Sequence, residues 1–182
     1  MNVILYFFIL IVELIILIGV SIYGAGLLFS AFKGAPYVPT ARKEIEEVLK
    51  KANLKKGKRF VEFGSGDGRI VRQAVKKYDV VGVGVEINPL LVWWSRFLAG
   101  RDGTAHNVSF LKTNVFAYPL TDVDYLYVFL MPELLVKLMP KFEKEMKKGS
   151  LIISHGFKLV GFEKKLIATR PSSAFSTYYY QV

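Results

Sequence analysis

Residues 62–68 carry the strongest chemical signal in this sequence, a run that reads Glu-Phe-Gly-Ser-Gly-Asp-Gly. Glycines at every second position let the backbone turn sharply and approach a ligand closely. The apolar stretch RFVEFG predicts a strand leading into the run, and RIVRQAVKKY predicts a helix after it. A dinucleotide fingerprint would have its third glycine one place later. The candidate ligand-binding residues are Glu62, Gly64, Ser65, Gly66, Asp67 and Gly68.

Glu86 is a second candidate, because it lies near the end of the next apolar stretch, VVGVGVEI, eighteen residues after Gly68. A carboxylate at the end of that strand can accept hydrogen bonds from both hydroxyls of a ribose. A solvent-facing acid is the alternative for Glu86 alone, but a glycine loop at this distance favours the ribose contact. Asp67 has two possible roles, ligand contact or N-cap of the following helix.

The E-x-G-x-G-x-G run and Glu86 together resemble the class I, Rossmann-like methyltransferases that use S-adenosylmethionine (SAM). The resemblance implies that the glycine loop holds the methionyl part of SAM. It also implies an adenine contact after the third strand, where an Asp is common and this chain has Asn114. The carbonyl oxygen of Asn can still accept from the adenine amino group, or Asn114 can cap its own loop. Phe116 could stack on adenine or pack in the core.

Strands and helices alternate along the remaining chain, which predicts a parallel α/β sheet. Thr40 is a plausible N-cap for a helix that runs to about Ala52. Pro140 should kink or divide the helical stretch after the fourth strand. The last segments, FEKKLIATR and FSTYYYQV, predict an antiparallel hairpin. We therefore expect a Rossmann-like methyltransferase sheet with an antiparallel C-terminal hairpin, preceded by one transmembrane helix.

The transmembrane helix is expected in residues 1–32. Residues 3–32 contain one charge, Glu13, and no Lys or Arg, and they exceed the roughly 20 residues that cross a bilayer. A cleaved signal peptide would be shorter, with a basic residue before it and a clear cleavage site. Basic residues begin on the C-terminal side at Lys33, which predicts a single-pass protein whose domain faces the cytoplasm. Residues 33–40 would be a linker and residues 41–182 a SAM-dependent methyltransferase domain.

The composition limits the remaining chemistry. The chain has no Cys and two His, so we expect no disulfide, no thiolate nucleophile and no metal site. Residues 33–182 carry all 25 basic and 14 of the 15 acidic residues, a net charge of +11. Such a balance attracts an anionic membrane, an acidic protein or nucleic acid, and does not choose among them.

A closer resemblance lies in the order of a membrane helix, the linker PYVPT, the glycine loop and the stretch EINPLLVWWSR. This arrangement is similar to the membrane-anchored protein-lysine methyltransferases that modify the ATP synthase c-subunit and the adenine nucleotide translocase. The resemblance covers roughly residues 36–103. It implies SAM-dependent N-methylation of a lysine in a membrane protein, at the inner mitochondrial membrane if the source is eukaryotic. The bilayer and a membrane-protein substrate are the expected partners.

A lysine acceptor must lose its proton before it can attack, and an apolar, aromatic channel favours the neutral amine. Tyr37 in the linker is a candidate lid over such a channel. His155, at the end of the fifth expected strand, could take a proton, line the channel or be a structural histidine. Three alternatives stay open: a small lipophilic acceptor such as a lipid or quinone, RNA, or a non-enzymatic SAM-fold module. The membrane helix argues against nucleic acid, and the intact glycine loop argues against a non-enzymatic module.

Overall fold

A long N-terminal helix precedes alternating strands and helices in the computed structural model. The structure describes residues 3–32 and 40–182, without the side chains of residues 22, 23 and 25–32. The elements are α1 (Val3–Phe32), α2 (Arg42–Ala52), β1 (Arg59–Phe63), α3 (Arg69–Tyr78), β2 (Val81–Glu86), α4 (Pro89–Asp102), β3 (Val108–Lys112), β4 (Tyr125–Val128), α5 (Pro132–Glu145), β5 (Leu151–His155), β6 (Leu166–Arg170) and β7 (Thr177–Gln181).

The strands form one seven-stranded sheet in the order β3-β2-β1-β4-β5-β7-β6. The first five strands in this order are parallel, and β7 runs antiparallel to both β5 and β6. The predicted Rossmann-like sheet with an antiparallel C-terminal pair is therefore confirmed. The chain order reverses between β1 and β4, and such sheets bind ligands at the carboxyl ends of the strands beside that reversal.

Two apolar cores cover the two faces of the sheet. Helices α2, α3 and α4 contribute to one core, and α5 contributes to the other. In α2 the buried residues are the apolar ones of one face, as their spacing predicts. Fully or nearly fully buried side chains include Leu49, Phe60, Val71 and Tyr127 in the first core and Phe63, Leu126, Leu138 and Phe142 in the second.

The predicted N-cap of α2 was wrong, and so was the predicted division of α5 at Pro140. Helix α2 begins at Arg42 with Ala41 as its N-cap, and no side chain caps it. Thr40 lies one residue too early for that role; it is buried and its side chain hydrogen-bonds Tyr127. Pro140 does not divide α5, which is continuous from Pro132 to Glu145. The carbonyl that Pro140 leaves without a partner belongs to Val136, an exposed residue where water can replace the lost bond.

Helix α1 is apolar along its length. Its segment Val3–Ser21 has a mean hydropathy of 3.1, and none of that segment is buried against the rest of the protein. By length and composition it could cross a membrane. The segment predicted as a linker lies outside the described residues except for Thr40, and Tyr37 lies outside them with it.

Candidate cofactor and active site

The glycine loop, residues 64–68, connects β1 to α3 at the middle of the sheet. Gly64, Gly66 and Gly68 have φ angles of 70°, 55° and 72°, in the left-handed region that residues with a Cβ disfavour. The amides of Gly64 and Ser65 both donate to the carbonyl oxygen of Val85, at 2.9 and 3.1 Å. The loop is therefore drawn against the end of β2, and the alternating glycines allow that path.

Glu86 holds the loop from the end of β2. One carboxylate oxygen accepts from the amide of Gly66 at 2.9 Å. The other oxygen accepts from the amides of Ile87 and Asn88 at 2.9 and 2.8 Å, where the chain turns into α4. The hydroxyl of Ser95 lies 2.9 Å from the carbonyl oxygen of Gly66. Both neighbouring peptide groups of Gly66 are thus tied to side chains, which fixes the loop before any ligand binds.

Gly68 also allows α3 to pack closely on the sheet. A Cβ added at Gly68 would lie 2.3 Å from the ring of Phe110, and one added at Gly84 would lie 2.5 Å from the same ring. Real Cβ atoms do not approach other atoms so closely. The Phe110 ring therefore occupies space that exists only because both positions lack a side chain.

Glu62 and Asp67 face the beginning of α3. A carboxylate oxygen of Glu62 accepts from the amide of Val71 at 3.1 Å, and burial raises the pKa of Glu62 well above its usual value. Asp67 accepts from the amide of Arg69 at 3.1 Å and forms a 2.8 Å ion pair with its guanidinium. The Ser65 hydroxyl is buried and has no hydrogen-bond partner among the described residues. The N-cap of α3 is Gly68 and not Asp67, so the capping role proposed for Asp67 was wrong; the two acids instead hold the loop and the first turn of the helix.

A cavity of about 270 Å³ lies beside the glycine loop, at the carboxyl ends of β1, β2 and β3. Its walls bring together Gly64, Glu86 and Asn114 from three separate connections, with the apolar side chains of Leu130 and Leu134 opposite. The volume is close to the lower end of the range for small-molecule sites, about 300–1,000 Å³. Asp67, in contrast, does not line this cavity.

Asn114 caps the turn that forms the outer wall of the cavity. Its side-chain oxygen accepts from the amide of Phe116 at 3.0 Å, so the loop-capping role is present in the structure. Phe116 is 43% exposed and lines the cavity, so it is not a core residue. Its ring is available to stack on a planar ligand.

An aromatic cluster of Phe129, His155 and Phe175 lies on the other side of the glycine loop, at the ends of β4 and β5. The Phe129 ring is 4.7 Å from the His155 ring and 5.1 Å from the Phe175 ring, between centroids. His155 is fully buried, and its Nδ1 lies 2.8 Å from the hydroxyl of Thr177. Burial lowers the pKa of His155, which keeps the imidazole neutral at neutral pH.

Three site residues were missed as individuals, although they lie in the stretch EINPLLVWWSR. Asn88 is the N-cap of α4 and accepts from the amide of Leu90 at 3.0 Å. Ser95 contacts the loop as described above, and Arg96 donates to the carbonyl oxygen of Phe110 at 2.7 Å. The polar residues of this stretch therefore attach α4 to the loop and to β3, which accounts for their spacing.

Comparisons with known proteins agree with this geometry. Residues 62–165 match the family described as the ANTKMT methyltransferase domain, and residues 28–92 match histone methylation protein DOT1. The chain is 35% identical over 122 residues to the ATP synthase c-subunit lysine N-methyltransferase of Homo sapiens, a match that covers 67% of this chain and 52% of that protein. It is 33% identical over 131 residues to a protein-lysine N-methyltransferase of Saccharolobus islandicus (strain REY15A), covering 71% of this chain and 81% of that protein.

The adenine nucleotide translocase lysine N-methyltransferase of Mus musculus is 35% identical over 124 residues, covering 68% of this chain and 54% of that protein. This chain thus spans about half the length of the human and mouse relatives. Among solved structures, an RNA methyltransferase from Salinibacter ruber in complex with S-adenosyl-L-homocysteine superposes with a TM-score of 0.75 and 28% identity. That match covers 80% of this chain and 94% of the other.

The sheet order, the glycine loop and these matches define a class I, Rossmann-like methyltransferase domain whose cofactor is SAM. The residues present suit that cofactor, because a carboxylate and an apolar-walled cavity adjoin a loop that a backbone can approach closely. The chain belongs to the ANTKMT methyltransferase domain family, whose match covers more than half of its residues.

Proposed function

We propose that this chain methylates a lysine side chain of a membrane protein. The observation that carries the proposal is the glycine loop, which Glu86 holds beside the cavity. Relatives of this chain are named as lysine N-methyltransferases, which supports lysine as the acceptor. The apolar helix α1 supports a membrane substrate, because it would hold the domain at a bilayer. In this proposal α1 is a single-pass anchor, the bilayer is a partner and the domain lies on the cytoplasmic side.

In this proposal the two reactants bind on opposite sides of the glycine loop. Glu86 and Asn114 lie at the ends of β2 and β3, on one side of the glycine loop, where the cavity suits a nucleoside. The aromatic cluster lies beyond β1, at the ends of β4 and β5, on the other side. The register pairs Phe63 with Val128, so Phe129 follows at the level of Gly64. We assign the cofactor to the β2 and β3 side and the acceptor lysine to the β4 and β5 side.

The protein would act mainly by positioning the cofactor and the acceptor lysine for methyl transfer. When bound, SAM would supply a methyl group for in-line attack by the neutral amine, and its sulfur would leave as the thioether of S-adenosylhomocysteine. Glu86 would accept hydrogen bonds from the ribose hydroxyls while it also holds the loop. Gly64 would leave space for the methionyl part of SAM. The aromatic cluster would favour the neutral form of the lysine, because low polarity disfavours the ammonium. Neutral, fully buried His155 would support the aromatic cluster from within, with its Nδ1 engaged by Thr177.

The test is to incubate the full-length chain and tritiated SAM with membranes from cells that lack the protein. Label recovered as methyl-lysine after acid hydrolysis of membrane protein would support the proposal. Label found wholly in the lipid extract would replace it with a lipophilic acceptor, and label in RNA would replace it with an RNA acceptor. Gly66→Val is the matched control. Valine disfavours the φ of 55° at this position, so the substitution should disable the cofactor loop while the two cores stay intact.

A further inference from the structure

An exposed aromatic ridge runs along the outer face of α4. Leu90, Trp93, Trp94 and Phe97 are 40%, 65%, 40% and 51% exposed. Their spacing places them on one side of the helix. The Phe97 ring stacks on both Trp rings, with centroids 5.3 Å from Trp94 and 6.3 Å from Trp93. Contiguous exposed apolar side chains of this kind mark surfaces that bind a protein or a membrane.

A basic groove of about 760 Å³ adjoins the ridge, and Trp94 belongs to both. Arg42, Lys76 and Arg101 line the groove and form no ion pair within the part of the chain that the structure describes. Three further cations in the groove, Arg69, Arg72 and Lys77, pair with its three carboxylates, Asp67, Asp102 and Glu46. The groove therefore presents three uncompensated positive charges beside the aromatic ridge.

The groove lies where the polypeptide enters the domain from α1. Thr40 lines the groove and accepts, through its carbonyl oxygen, a hydrogen bond from Arg69 at 3.3 Å. Residues 33–39 are all that separate Phe32, the last residue of α1, from Thr40. A fully extended chain of that length spans at most about 30 Å. The groove is thus held within that distance of the end of the apolar helix.

We propose that the aromatic ridge and the basic groove together seat the domain on an anionic bilayer surface. This inference rests on the proposed anchoring by α1, but not on methyl transfer. Tryptophan rings favour the headgroup level of a bilayer, and unpaired Lys and Arg side chains are attracted to anionic lipids. A protein partner would account for the ridge alone, whereas the cations beside it and the short connection to α1 favour lipid. Helix α4 starts directly after Glu86, at the carboxyl end of β2. Seating through α4 would therefore hold the cofactor cavity near the membrane.

The test uses the two tryptophans of the chain, which both belong to the ridge. The full-length protein is reconstituted in vesicles of phosphatidylcholine and phosphatidylglycerol, and brominated phosphatidylcholine is the quencher. Seating predicts strong quenching, which weakens in pure phosphatidylcholine and at high salt. Lys76→Ala and Arg101→Ala should each shift the equilibrium about fivefold toward the unseated domain. Lys148→Ala, an exposed change after α5 on the opposite face of the sheet, should leave quenching unchanged.

Three results would overturn the inference. Quenching by aqueous iodide with none by bromolipid would show that the ridge faces water. Protection from both quenchers would show that protein covers it, either a second copy or another chain. With either of these results, a protein that still fractionates with the vesicles would show that anchoring to the membrane is retained. A protein that leaves the vesicles contradicts the anchor and the seating together, and the labelling experiment on membranes reports on methyl transfer separately.

Discussion

Replacement of Glu86 by Gln tests the central feature of the site with little change of shape. The carboxylate accepts three backbone hydrogen bonds, from Gly66, Ile87 and Asn88. A Gln side chain has one carbonyl oxygen and one amino group. The oxygen can keep the two donors at the start of α4, and the amino group then faces the amide of Gly66. The glycine loop would lose its attachment to β2, while α4 would keep its own.

The expected cost follows from the bonds that change. A buried amide left without an acceptor costs about 1–3 kcal/mol, and each remaining bond weakens by roughly 1 kcal/mol when its acceptor loses the charge. Structural relaxation recovers part of this, so we expect a loss of about 3 kcal/mol in the free energy of unfolding. SAM affinity should fall as well, since the ribose loses a charged acceptor worth about 1–3 kcal/mol, or about 5- to 150-fold in Kd.

Urea unfolding in detergent micelles, followed by tryptophan fluorescence, measures the first quantity, because Trp93 and Trp94 both lie in α4 of the domain. Isothermal titration calorimetry with SAM measures the second. Glu143→Gln, an exposed change in α5, is the matched control and should alter neither. An unchanged unfolding midpoint for Glu86→Gln would refute the idea that this carboxylate holds the loop. Unchanged SAM affinity would refute its ribose contact.

Three further expectations follow from the structure. Gly68→Ala should destabilise the domain by about 1–3 kcal/mol more than Gly103→Ala in urea unfolding, because both have φ near 70° but only the first new Cβ would meet Phe110, at 2.3 Å; equal costs would contradict the packing argument. Buried His155 should lower the free energy of unfolding as the pH falls below 6.5, since the unfolded chain binds a proton that the folded imidazole disfavours; Glu62, whose pKa burial raises, acts in the opposite direction. His155→Phe should remove the contribution of the imidazole, so that the free energy of unfolding falls less, or rises more, on acidification, and an unaltered slope would exclude that contribution. Deletion of residues 1–32 should leave SAM affinity intact but reduce methylation of native membranes through a lower effective concentration, and equal rates for the two forms would exclude an anchoring role.

Patterns of local sequence predicted most of the fold. The glycine loop, the acid at the end of β2 and the alternation of strands and helices each depend on residues close in the chain, and each is present as expected. The antiparallel C-terminal strands were likewise predicted, from two adjacent strand segments, FEKKLIATR and FSTYYYQV. The insertion of β7 between β5 and β6 was not predicted, because it depends on contacts between distant segments.

The individual roles of the site residues were harder to predict for the same reason. Asp67 follows a pattern that fits ligand contact or capping, and only the position of Arg69 shows which group it meets in this structure. Ser95 reaches Gly66 across 29 residues, so no local pattern announces that bond. The exposure of Trp93 and Trp94 could not be predicted either, since α4 has apolar residues on several sides and its sequence does not indicate which face is buried.

The position of β7 has a consequence for how the protein is made. Strand β5 finds its neighbour on one side in β4, but its other neighbour, β7, follows about twenty residues later in the chain and is the last described strand to be synthesised. Until β7 pairs with it, β5 is an open edge strand. All five of its residues are buried in the folded domain, so the unpaired strand can pair with other chains. Strand β6 cannot protect it, because β6 pairs with β7 and not with β5. A chain truncated between β6 and β7 would therefore leave this side of β5 unpaired, and we expect such a fragment to aggregate.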